Sequence, residues 1–448
     1  MMKRKVTVIV PTHNSEKYIA ECVESIMHQT YDNIQIICVD SSTDNTISIL
    51  TELQQRDERI QIIQDANGSY GHKLNVGIGH ADGDYIAIVE SDDYILPQMY
   101  EDMLKVVEGT EVDYIKCATN HFADIGGSRR FFKEPREKVE ENLGRIIDLD
   151  AEPEFAWMCL PRIWTALYRK DFLIQNGIWA NETPAASFQD TSFTNLVAAL
   201  AKKCVYVDGA FYCYRNDNVG SSVKSKEKLF CVCDECRYAE EILQRQGKYD
   251  EATKTSLLRR KLETYQWNAM RLSEEGCEEF QDGIRTELEC DFRDRENLLS
   301  DWEKQLLTWL MDKGAMQEHR KATEERFELW QSVLQKLDEN RKCVVIGAGV
   351  LGDNVLWVHD WLGKDVICSL ADNDKTKSAQ EMAGYQIESV EDAVKKQADA
   401  FYLVANKKYG KEIMNQLIDL GVSAEQILII NKTIGKLELM AECIRHYS

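Results

Sequence analysis

The chain has 448 residues, 44% of them hydrophobic, which is enough for two or three domains with packed cores. Its formal net charge of −22 argues against nucleic acid as a partner and against broad adhesion to anionic lipid. No apolar run in the sequence approaches a membrane span, and the 14 cysteines are scattered, as in a reducing compartment. We therefore expect a cytoplasmic protein without a transmembrane segment, with peripheral attachment to the inner face of the membrane as the other option.

Residues 6–90 alternate between short apolar runs and amphipathic stretches, which predicts an α/β domain with parallel strands. Strands are predicted at 6–10, 34–40, 60–64 and 85–89, and helices at 15–29, 44–55 and 74–81. Parallel strands end at the same edge of a sheet, so Pro11, Asp40 and Glu90 should lie on one rim. We expect a nucleotide to bind along that rim.

A cluster of carboxylates, Glu90-Ser91-Asp92-Asp93, directly follows the last of these strands. Carboxylate oxygens are the ligands that Mg²⁺ and Mn²⁺ prefer, and such a cation can hold the diphosphate of a nucleotide and stabilise its departure. The sequence therefore predicts a cation site here, with a solvated acidic turn as the alternative.

Four segments in the first half of the chain, taken in order, resemble the motifs of the family 2 glycosyltransferases. They are Val8-Ile9-Val10-Pro11-Thr12-His13-Asn14, Val39-Asp40-Ser41-Ser42-Thr43-Asp44, Asn75-x-Gly77 with Ala81-Asp82-Gly83-Asp84-Tyr85, and the acidic cluster. The resemblance implies the GT-A fold, with a mixed, mainly parallel sheet, and a nucleotide-sugar donor, most simply a UDP-sugar. It also implies Mn²⁺ or Mg²⁺ as the cofactor.

The resemblance assigns three residues to the nucleoside and one to the base. Pro11, Thr12 and Asn14 would wrap the nucleoside, and Asp40 would accept a hydrogen bond from the base. A carboxylate at Asp40 can accept the ring N–H of uracil. The alternative for Asp40 is a turn residue before the next helix.

The resemblance also assigns the metal and the phosphates. Asp92 would be the principal metal ligand with Glu90 beside it, although the first acid of this motif is normally an aspartate. Lys73 would supply the cation that many members of the family carry as an arginine at the position of Leu74. The predicted donor site also includes Asn75, Ser91 and Arg215.

A second acidic segment, Ser187-Phe188-Gln189-Asp190-Thr191-Ser192-Phe193, opens a predicted helix and resembles the motif that carries the family's catalytic base. Inverting transfer needs a carboxylate that takes the proton of the acceptor hydroxyl as that hydroxyl attacks. Asp190 is the predicted base, with a helix N-cap as its alternative role.

The acceptor site is predicted with less guidance from motifs. Trp164 could stack on a sugar ring, with burial in the core as the alternative, and Asp93 is a second predicted acceptor contact.

A strand is predicted at 205–214, and Arg215 after it could reach the donor diphosphate or belong to an ordinary polar turn.

The composition changes twice along the chain. We predict a GT-A domain at 1–225, a helical middle region rich in Glu, Lys, Arg, Gln and Leu at 226–340, a Rossmann-like domain at 341–432 and a tail at 433–448. The third domain opens with a strand and a Gly-x-Gly-x-x-Gly turn, which together with a later acid is the fingerprint of a dinucleotide fold. Its possible second nucleotide site consists of Gly347, Gly349, Gly352 and Asp372, and a purely structural or oligomerising role of this domain is the alternative.

Three functions compete at this point. The leading one is a metal-dependent, inverting glycosyltransferase that moves a hexose or N-acetylhexosamine to a glycan or lipid-linked acceptor, for a surface polysaccharide or glycoconjugate. The second is a noncatalytic scaffold that binds nucleotide-sugars, and the third is an NAD-linked oxidoreductase through the last domain. The sequence leaves open whether the chain forms a homo-oligomer.

Overall fold

The computed structural model describes residues 3–134, 139–158, 162–221, 228–293 and 295–447. Its contacts divide the chain into two compact units. The first unit is Met1–His121 with Lys133–Met316, and the second is Phe122–Phe132 with Gln317–Ser448.

The first unit contains an eight-stranded, mainly parallel sheet in the order β3-β2-β1-β4-β10-β6-β11-β9. Strand β1 is buried along all seven residues, as expected for a central strand covered on both faces. Among the described residues, β10 and β9 run antiparallel to their neighbours, which confirms the mixed sheet. The strands that begin in this part of the chain are β1 (Val6–Thr12), β2 (Ile34–Asp40), β3 (Ile60–Gln64), β4 (Tyr85–Ile88), β5 (Tyr94–Ile95), β6 (Tyr114–Lys116), β7 (Thr119–Ile125), β8 (Ser128–Lys133), β9 (Ile146–Asp148), β10 (Ala166–Arg169), β11 (Lys203–Tyr206) and β12 (Tyr212–Arg215).

The predicted strand at 205–214 is wrong in its extent, because the structure has two strands there. The chain turns at Asp208 and Gly209, and β11 joins the large sheet while β12 pairs antiparallel with β5. Both segments are apolar and buried, so their periodicity alone did not reveal the break.

Helices alternate with the strands of the first unit and then replace them. The helix predicted from residue 74 begins earlier, at Tyr70, because the Ser69 side chain caps it by accepting a hydrogen bond from the backbone N–H of His72. The helices of this part are α1 (Ile19–Met27), α2 (Thr46–Arg56), α3 (Tyr70–His80), α4 (Met99–Lys105), α5 (Glu154–Trp157), α6 (Lys170–Gln175), α7 (Gln189–Leu200), α8 (Cys231–Arg245), α9 (Glu251–Arg271), α10 (Glu274–Phe292) and α11 (Asp301–Met311).

Helices α8 to α11 form the predicted helical middle region and share an apolar core of their own. That core includes Val232, Leu262, Phe280 and Leu306. The helical region belongs to the same compact unit as the large sheet.

The second unit has a six-stranded sheet in the order β15-β16-β14-β13-β17-β18, with helices between its strands. Among the described strand pairs, only β15 with β16 is antiparallel, which fits the predicted Rossmann-like fold. Its elements are α12 (Lys313–Asp338), β13 (Cys343–Ile346), α13 (Val350–Trp361), β14 (Ile367–Ala371), β15 (Glu381–Met382), β16 (Tyr385–Glu388), α14 (Val390–Lys396), β17 (Phe401–Ala405), α15 (Gly410–Asp419), β18 (Ile427–Ile430) and α16 (Lys436–Tyr447).

The core of the second unit extends beyond the predicted range 341–432. Trp330 and Leu334 of α12 are fully buried in it, and so are Leu439 and Cys443 of α16, the helix formed by the predicted tail. Residues 122–132, the end of the hairpin of β7 and β8, also belong to this core, where the Trp361 indole N–H donates to the Phe131 carbonyl at 2.8 Å.

Candidate active site

The predicted rim lies at the carboxyl edge of the large sheet. Strands β1, β2 and β4 are parallel, and Thr12 at the end of β1 lies opposite Asp40 at the end of β2. The acidic cluster begins two residues after β4. The motif residues from three separate segments therefore meet at one edge.

Asp40 is held by protein donors at the base of this rim. It is 3% exposed, and its Oδ1 accepts from the Thr12 hydroxyl at 2.8 Å and the Ser42 hydroxyl at 2.7 Å. Its Oδ2 accepts only the Ser42 backbone N–H among the described residues, at 3.2 Å. Oδ2 is the oxygen that could also accept from a nucleobase.

Asn14 shapes the loop that follows Pro11 and Thr12. Its backbone is left-handed, with φ of 50°, a conformation that asparagine adopts more readily than most residues. Its side-chain oxygen accepts the Thr43 backbone N–H at 2.9 Å, and its own N–H donates to the Ser42 hydroxyl at 2.8 Å. The loops after β1 and β2 are thus fastened together.

Lys73 and Asn75 were predicted to contact the donor, but the structure shows both bonded to other parts of the protein. The prediction is therefore wrong for both residues. The Lys73 ammonium is buried and donates to the Thr12 carbonyl at 2.8 Å, so it supports the end of β1 in place of reaching a phosphate. The Asn75 amide bonds the backbone N–H and carbonyl of Ala180 and the carboxylate of Glu182, each at 2.9 Å. Asn75 therefore anchors the loop at 180–182.

Within the acidic cluster, Asp92 is the most available carboxylate. It is partly exposed, and its Oδ2 accepts from the Asn218 amide at 2.7 Å, while Oδ1 accepts no hydrogen bond from the described residues. The Ser91 hydroxyl is hydrogen-bonded to the Ser15 hydroxyl at 2.6 Å. Asp92 thus presents an open oxygen at the rim.

Glu90 faces a tyrosine that sequence reasoning missed. Its Oε1 accepts a hydrogen bond from the Tyr70 hydroxyl at the start of α3. Burial above all, and then the charges of Asp92 and Asp190, raise the pKa of Glu90 to about 8. The hydrogen bond from Tyr70 occupies one oxygen of this carboxyl, which weakens the predicted role of Glu90 as a metal ligand.

Asp93 and Arg215 have structural roles in place of the predicted ligand contacts. Asp93 is 1% exposed and accepts from the Tyr212 hydroxyl at 2.8 Å and the Arg215 backbone N–H at 2.7 Å, so no acceptor can reach it. The Arg215 guanidinium is also buried, and it donates to the Asp92 carbonyl at 2.9 Å and to Glu21 at 2.6 Å. These contacts fix the shape of the acidic loop.

Trp164 is a core residue, which corrects its predicted role as an acceptor platform. It is 8% exposed, and it stacks on Tyr212 and Tyr214 with ring centroids 4.3 and 5.1 Å apart. Both stacking contacts lie inside the domain, so a sugar ring would have to displace these tyrosines to stack on Trp164.

A cation at the rim would take few ligands from the protein. Among the residues that the structure describes, no cluster of three or more His, Cys, Asp or Glu side chains is arranged to hold a metal. Mg²⁺ usually binds through one or two carboxylates together with substrate phosphates, and Mn²⁺ favours the same oxygen ligands. The open oxygen of Asp92 suits that pattern.

Asp190 lies in the first turn of α7 but does not cap it. The N-cap is Phe188, whose backbone is left-handed with φ of 65°, and Asp190 is the second helical residue. Its Oδ1 accepts the Thr191 backbone N–H at 3.0 Å. The carboxyl is only partly exposed, and this partial burial raises its pKa to about 6. The capping alternative is therefore wrong, and the carboxylate is open to a ligand.

Glu235 of α8 is a second important residue that the sequence did not reveal. It is fully buried and accepts hydrogen bonds from Asn181 at 3.1 Å, from Thr183 at 2.9 Å and from Ser192 of α7. It thus ties the helical region to the loop at 180–183 and to the helix of Asp190. The signal that could have found it, a lone acid on the apolar face of a helix, is common in charged helices.

Replacing Glu235 with glutamine is expected to stabilise the protein increasingly as the pH rises. Burial raises the pKa of Glu235 to about 7 from an ordinary 4.5, so the folded protein binds this proton more tightly than the unfolded chain. Wild-type stability should therefore fall between about pH 4.5 and 7, whereas Glu235→Gln keeps its bonds if the Ser192 hydroxyl turns to accept. Urea unfolding of both proteins at pH 5 and pH 8 measures the difference.

The control for this measurement is Glu241→Gln, an exposed acid on the same helix. It should leave the pH dependence unchanged. A stability difference between Glu235→Gln and wild type that is equal at both pH values would contradict a buried, titrating Glu235.

In the second unit, the glycine-rich turn has the predicted form, but the carboxylate of Asp372 is hydrogen-bonded to the backbone of this turn. Gly347 has φ of 118°, and a Cβ at Gly352 would lie 2.0 Å from the Gly347 carbonyl oxygen, so both positions require glycine. Gly349 is the N-cap of α13. The Asp372 carboxylate accepts from the Ala348 backbone N–H at 2.8 Å and from Lys377 at 3.0 Å, so both of these contacts are made within the protein.

No helix in the described ranges combines the length and the apolar character needed to cross a bilayer.

The chain matches two family models in sequence. "Glycosyl transferase family 2" matches residues 7–166, and "C2185-like, N-terminal" matches residues 339–428. The first match contains the residues of the rim, and the second contains the glycine-rich turn.

Curated proteins resemble the first half of the chain. An uncharacterized glycosyltransferase of Bacillus subtilis, EpsJ, is 28% identical over 218 residues, which cover 47% of this chain and 61% of EpsJ. The glycosyltransferase GlyG of Streptococcus pneumoniae is 29% identical over 236 residues, covering 51% of this chain and 76% of GlyG. The chain thus spans less than two thirds of EpsJ.

Among solved structures, the crystal structure of Staphylococcus aureus TarS 1-349 in complex with UDP-GlcNAc aligns with a TM-score of 0.45 and 19% identity. The alignment covers 72% of this chain and 92% of that chain.

Proposed function

We propose that the chain is a metal-dependent, inverting glycosyltransferase that uses a nucleotide-sugar donor. The premise is that residues 7–166 form a family 2 glycosyltransferase domain. The observation that carries the proposal is the proximity of Asp190 to the acidic cluster. Tyr70 links the two segments, because its hydroxyl donates to Glu90 and its backbone N–H donates to the Ala185 carbonyl at 3.1 Å, five residues before Asp190. A candidate base thus lies near the rim where the donor phosphates would bind.

The chain's own residues suit each part of such a transfer. Asp190 takes the proton of the acceptor hydroxyl, whose oxygen forms a bond to the anomeric carbon while the bond from that carbon to the diphosphate breaks. Attack on the face opposite the leaving group inverts the anomeric configuration. Asp92 would hold the cation, which neutralises the charge that develops on the leaving diphosphate.

The donor is proposed to be a UDP-sugar. Asp40 Oδ2 accepts one backbone N–H and keeps a lone pair for the ring N–H of uracil, and the loops after β1 and β2, fastened by Asn14, would enclose the nucleoside. The acceptor is proposed to be a glycan or a lipid-linked sugar, in polysaccharide or glycoconjugate synthesis, in the cytoplasm or at the inner face of the membrane.

The test is a panel of UDP- and GDP-sugars with Mn²⁺, Mg²⁺ or EDTA, with binding and slow donor hydrolysis as readouts. We expect one or a few UDP-sugars to bind and to be hydrolysed only with a divalent cation. Binding of several donors without any turnover would favour a noncatalytic scaffold. Binding of NAD alone would favour the oxidoreductase.

The hydrolysis rate should depend on pH through Asp190. Burial raises the pKa of this carboxyl to about 6, and a base acts only when it is ionised, so the rate should fall below about pH 6. We expect roughly a tenfold loss per pH unit on that acid limb, measured at saturating donor and Mn²⁺. A rate that stays level from pH 7 to pH 5 would contradict Asp190 as the base.

A further inference from the structure

An exposed aromatic pair lies beside the start of α7. Trp267 of α9 is 40% exposed, and its ring meets the ring of Phe188 edge to face at 5.2 Å between centroids. Phe188 is the left-handed N-cap residue, two positions before Asp190. A non-glycine residue rarely adopts this backbone conformation without a constraint from its surroundings.

Arg271 makes the pair rigid. Its guanidinium carbon lies 4.7 Å from the centre of the Phe188 ring and 5.5 Å from that of Trp267. The guanidinium is itself fixed, because it donates to the Asn268 side chain at 2.9 Å and to the Lys228 carbonyl at 2.6 Å. The remaining surface of Trp267 is therefore presented to solvent in a defined orientation.

Trp267 differs from the tryptophans that serve as core anchors. Trp330, in the second unit, is fully buried, and its indole N–H donates to the Lys432 carbonyl at 3.1 Å. The indole N–H of Trp267 makes no hydrogen bond to a residue in the described ranges. It leaves both an apolar ring surface and a donor available to a ligand.

The direction of α7 places this pair on the side of the donor rim. Strand β11 is parallel to β6, and both β6 and β4 are antiparallel to β10, so β11 and β4 point the same way. Helix α7 leads into the beginning of β11, at the amino edge of the sheet. The beginning of α7 therefore points toward the carboxyl edge, where Asp92 lies.

The same reasoning excludes the large groove of the first unit as the acceptor site. That groove, of about 730 Å³, is lined by Leu200 and Lys202 at the other end of α7 and by Arg259 of α9. An acceptor bound there would lie at the amino edge of the sheet, away from Asp190.

We infer that Trp267, supported by Phe188, is an acceptor subsite that binds the C–H face of a pyranose ring. This inference rests on the proposed glycosyl transfer and identifies the acceptor class as a sugar. The indole ring packs on the apolar face of the sugar, its N–H donates to a ring hydroxyl, and the sugar is held next to the proposed base.

The first test uses the full-length protein labelled with 5-fluorotryptophan, with the Trp267 signal assigned from Trp267→Phe. Methyl glycosides of glucose, galactose and N-acetylglucosamine are titrated in the presence of UDP and Mn²⁺. We expect at least one glycoside to shift the Trp267 signal and to leave that of Trp302, a 58% exposed tryptophan of α11, unmoved. Equal shifts of both signals, or no shift at Trp267 up to the solubility limit, would overturn the subsite.

The second test compares Trp267→Ala with Trp302→Ala in transfer to the glycoside that binds. Loss of a stacked ring should raise the KM for the acceptor roughly tenfold in Trp267→Ala. Trp302→Ala should match wild type, and Trp267→Phe should recover part of the loss. An unchanged KM in Trp267→Ala would overturn the subsite.

UDP binding, measured in the same samples, separates this inference from the proposed function. If UDP and Mn²⁺ do not bind, the donor assignment fails, and a shift at Trp267 still supports a sugar site. If they bind while every glycoside leaves Trp267 unmoved, the subsite alone is overturned.

Discussion

Replacing Asp190 with asparagine is expected to lower sugar transfer about 10²- to 10⁴-fold, the usual loss when a general base is removed. The fold should be preserved, because Asp190 is not the N-cap of α7 and an asparagine oxygen can still accept the Thr191 backbone N–H. Binding of UDP and Mn²⁺ should stay near the wild-type value, because the predicted donor contacts come from other residues. Transfer and donor hydrolysis, measured beside calorimetric binding, separate the two effects.

The matched control for Asp190→Asn is Asp171→Asn. Asp171 is also the second residue of a helix, α6, but it is exposed and belongs to no predicted site. It should transfer sugar at the wild-type rate. Wild-type rates in Asp190→Asn as well would assign Asp190 a structural role and leave the enzyme without a named base.

Replacing Asp92 with alanine is expected to weaken Mn²⁺-dependent UDP binding at least about 100-fold, since loss of even an outer-shell partner of a metal typically costs 10- to 100-fold. Asp92 provides the open carboxylate oxygen at the rim, and Glu90 cannot replace it while it is bonded to Tyr70. Without the cation, a diphosphate would face the carboxylates unscreened. Calorimetry with UDP in Mn²⁺ and in EDTA measures the loss.

Asp82→Ala serves as the control for this prediction. Asp82 precedes β4, so it lies at the opposite edge of the sheet from Asp92, and its carboxylate is paired with Lys5 at 2.7 Å. It should bind UDP as the wild type does. UDP affinity that is the same in Asp92→Ala and wild type, or the same with and without EDTA, would refute the metal assignment.

The strands that form the rim could be predicted from the sequence because they are local. The apolar runs that become β1, β2 and β4 are short, continuous and buried, and the motif residues lie at the end of each strand or within two residues after it. Strand direction alone then brings these motifs to one edge. The position of the rim could therefore be predicted from the order and direction of the strands.

The contacts of individual side chains could not be predicted in the same way. The Asn75 amide is occupied by Ala180, 105 residues later in the chain, and Lys73 turns inward to Thr12, 61 residues earlier. Arg215 is drawn to Glu21, 194 residues away. A motif indicates which residue types gather at a site, but the contacts of a long polar side chain depend on which partners the fold brings near it.

The aromatic residues show the same limit. Trp164 was the predicted acceptor residue, yet it is enclosed by Tyr212 and Tyr214, while Trp267 on a charged helix is exposed beside Phe188. Sequence spacing places both in amphipathic surroundings. Only tertiary packing distinguishes the buried ring from the exposed one.

The hairpin end at 122–132 has a consequence for how the chain folds during synthesis. The core of the second unit needs both this segment and the residues after 317, which the ribosome produces roughly 185 residues later. At about 5–20 residues per second, the hairpin end waits on the order of 10 s or more for its partners, and Phe132 stays without its core neighbours during that time. The second unit can therefore fold only after residues 133–316 of the first have been synthesised, and no single cut in the gene separates the two units.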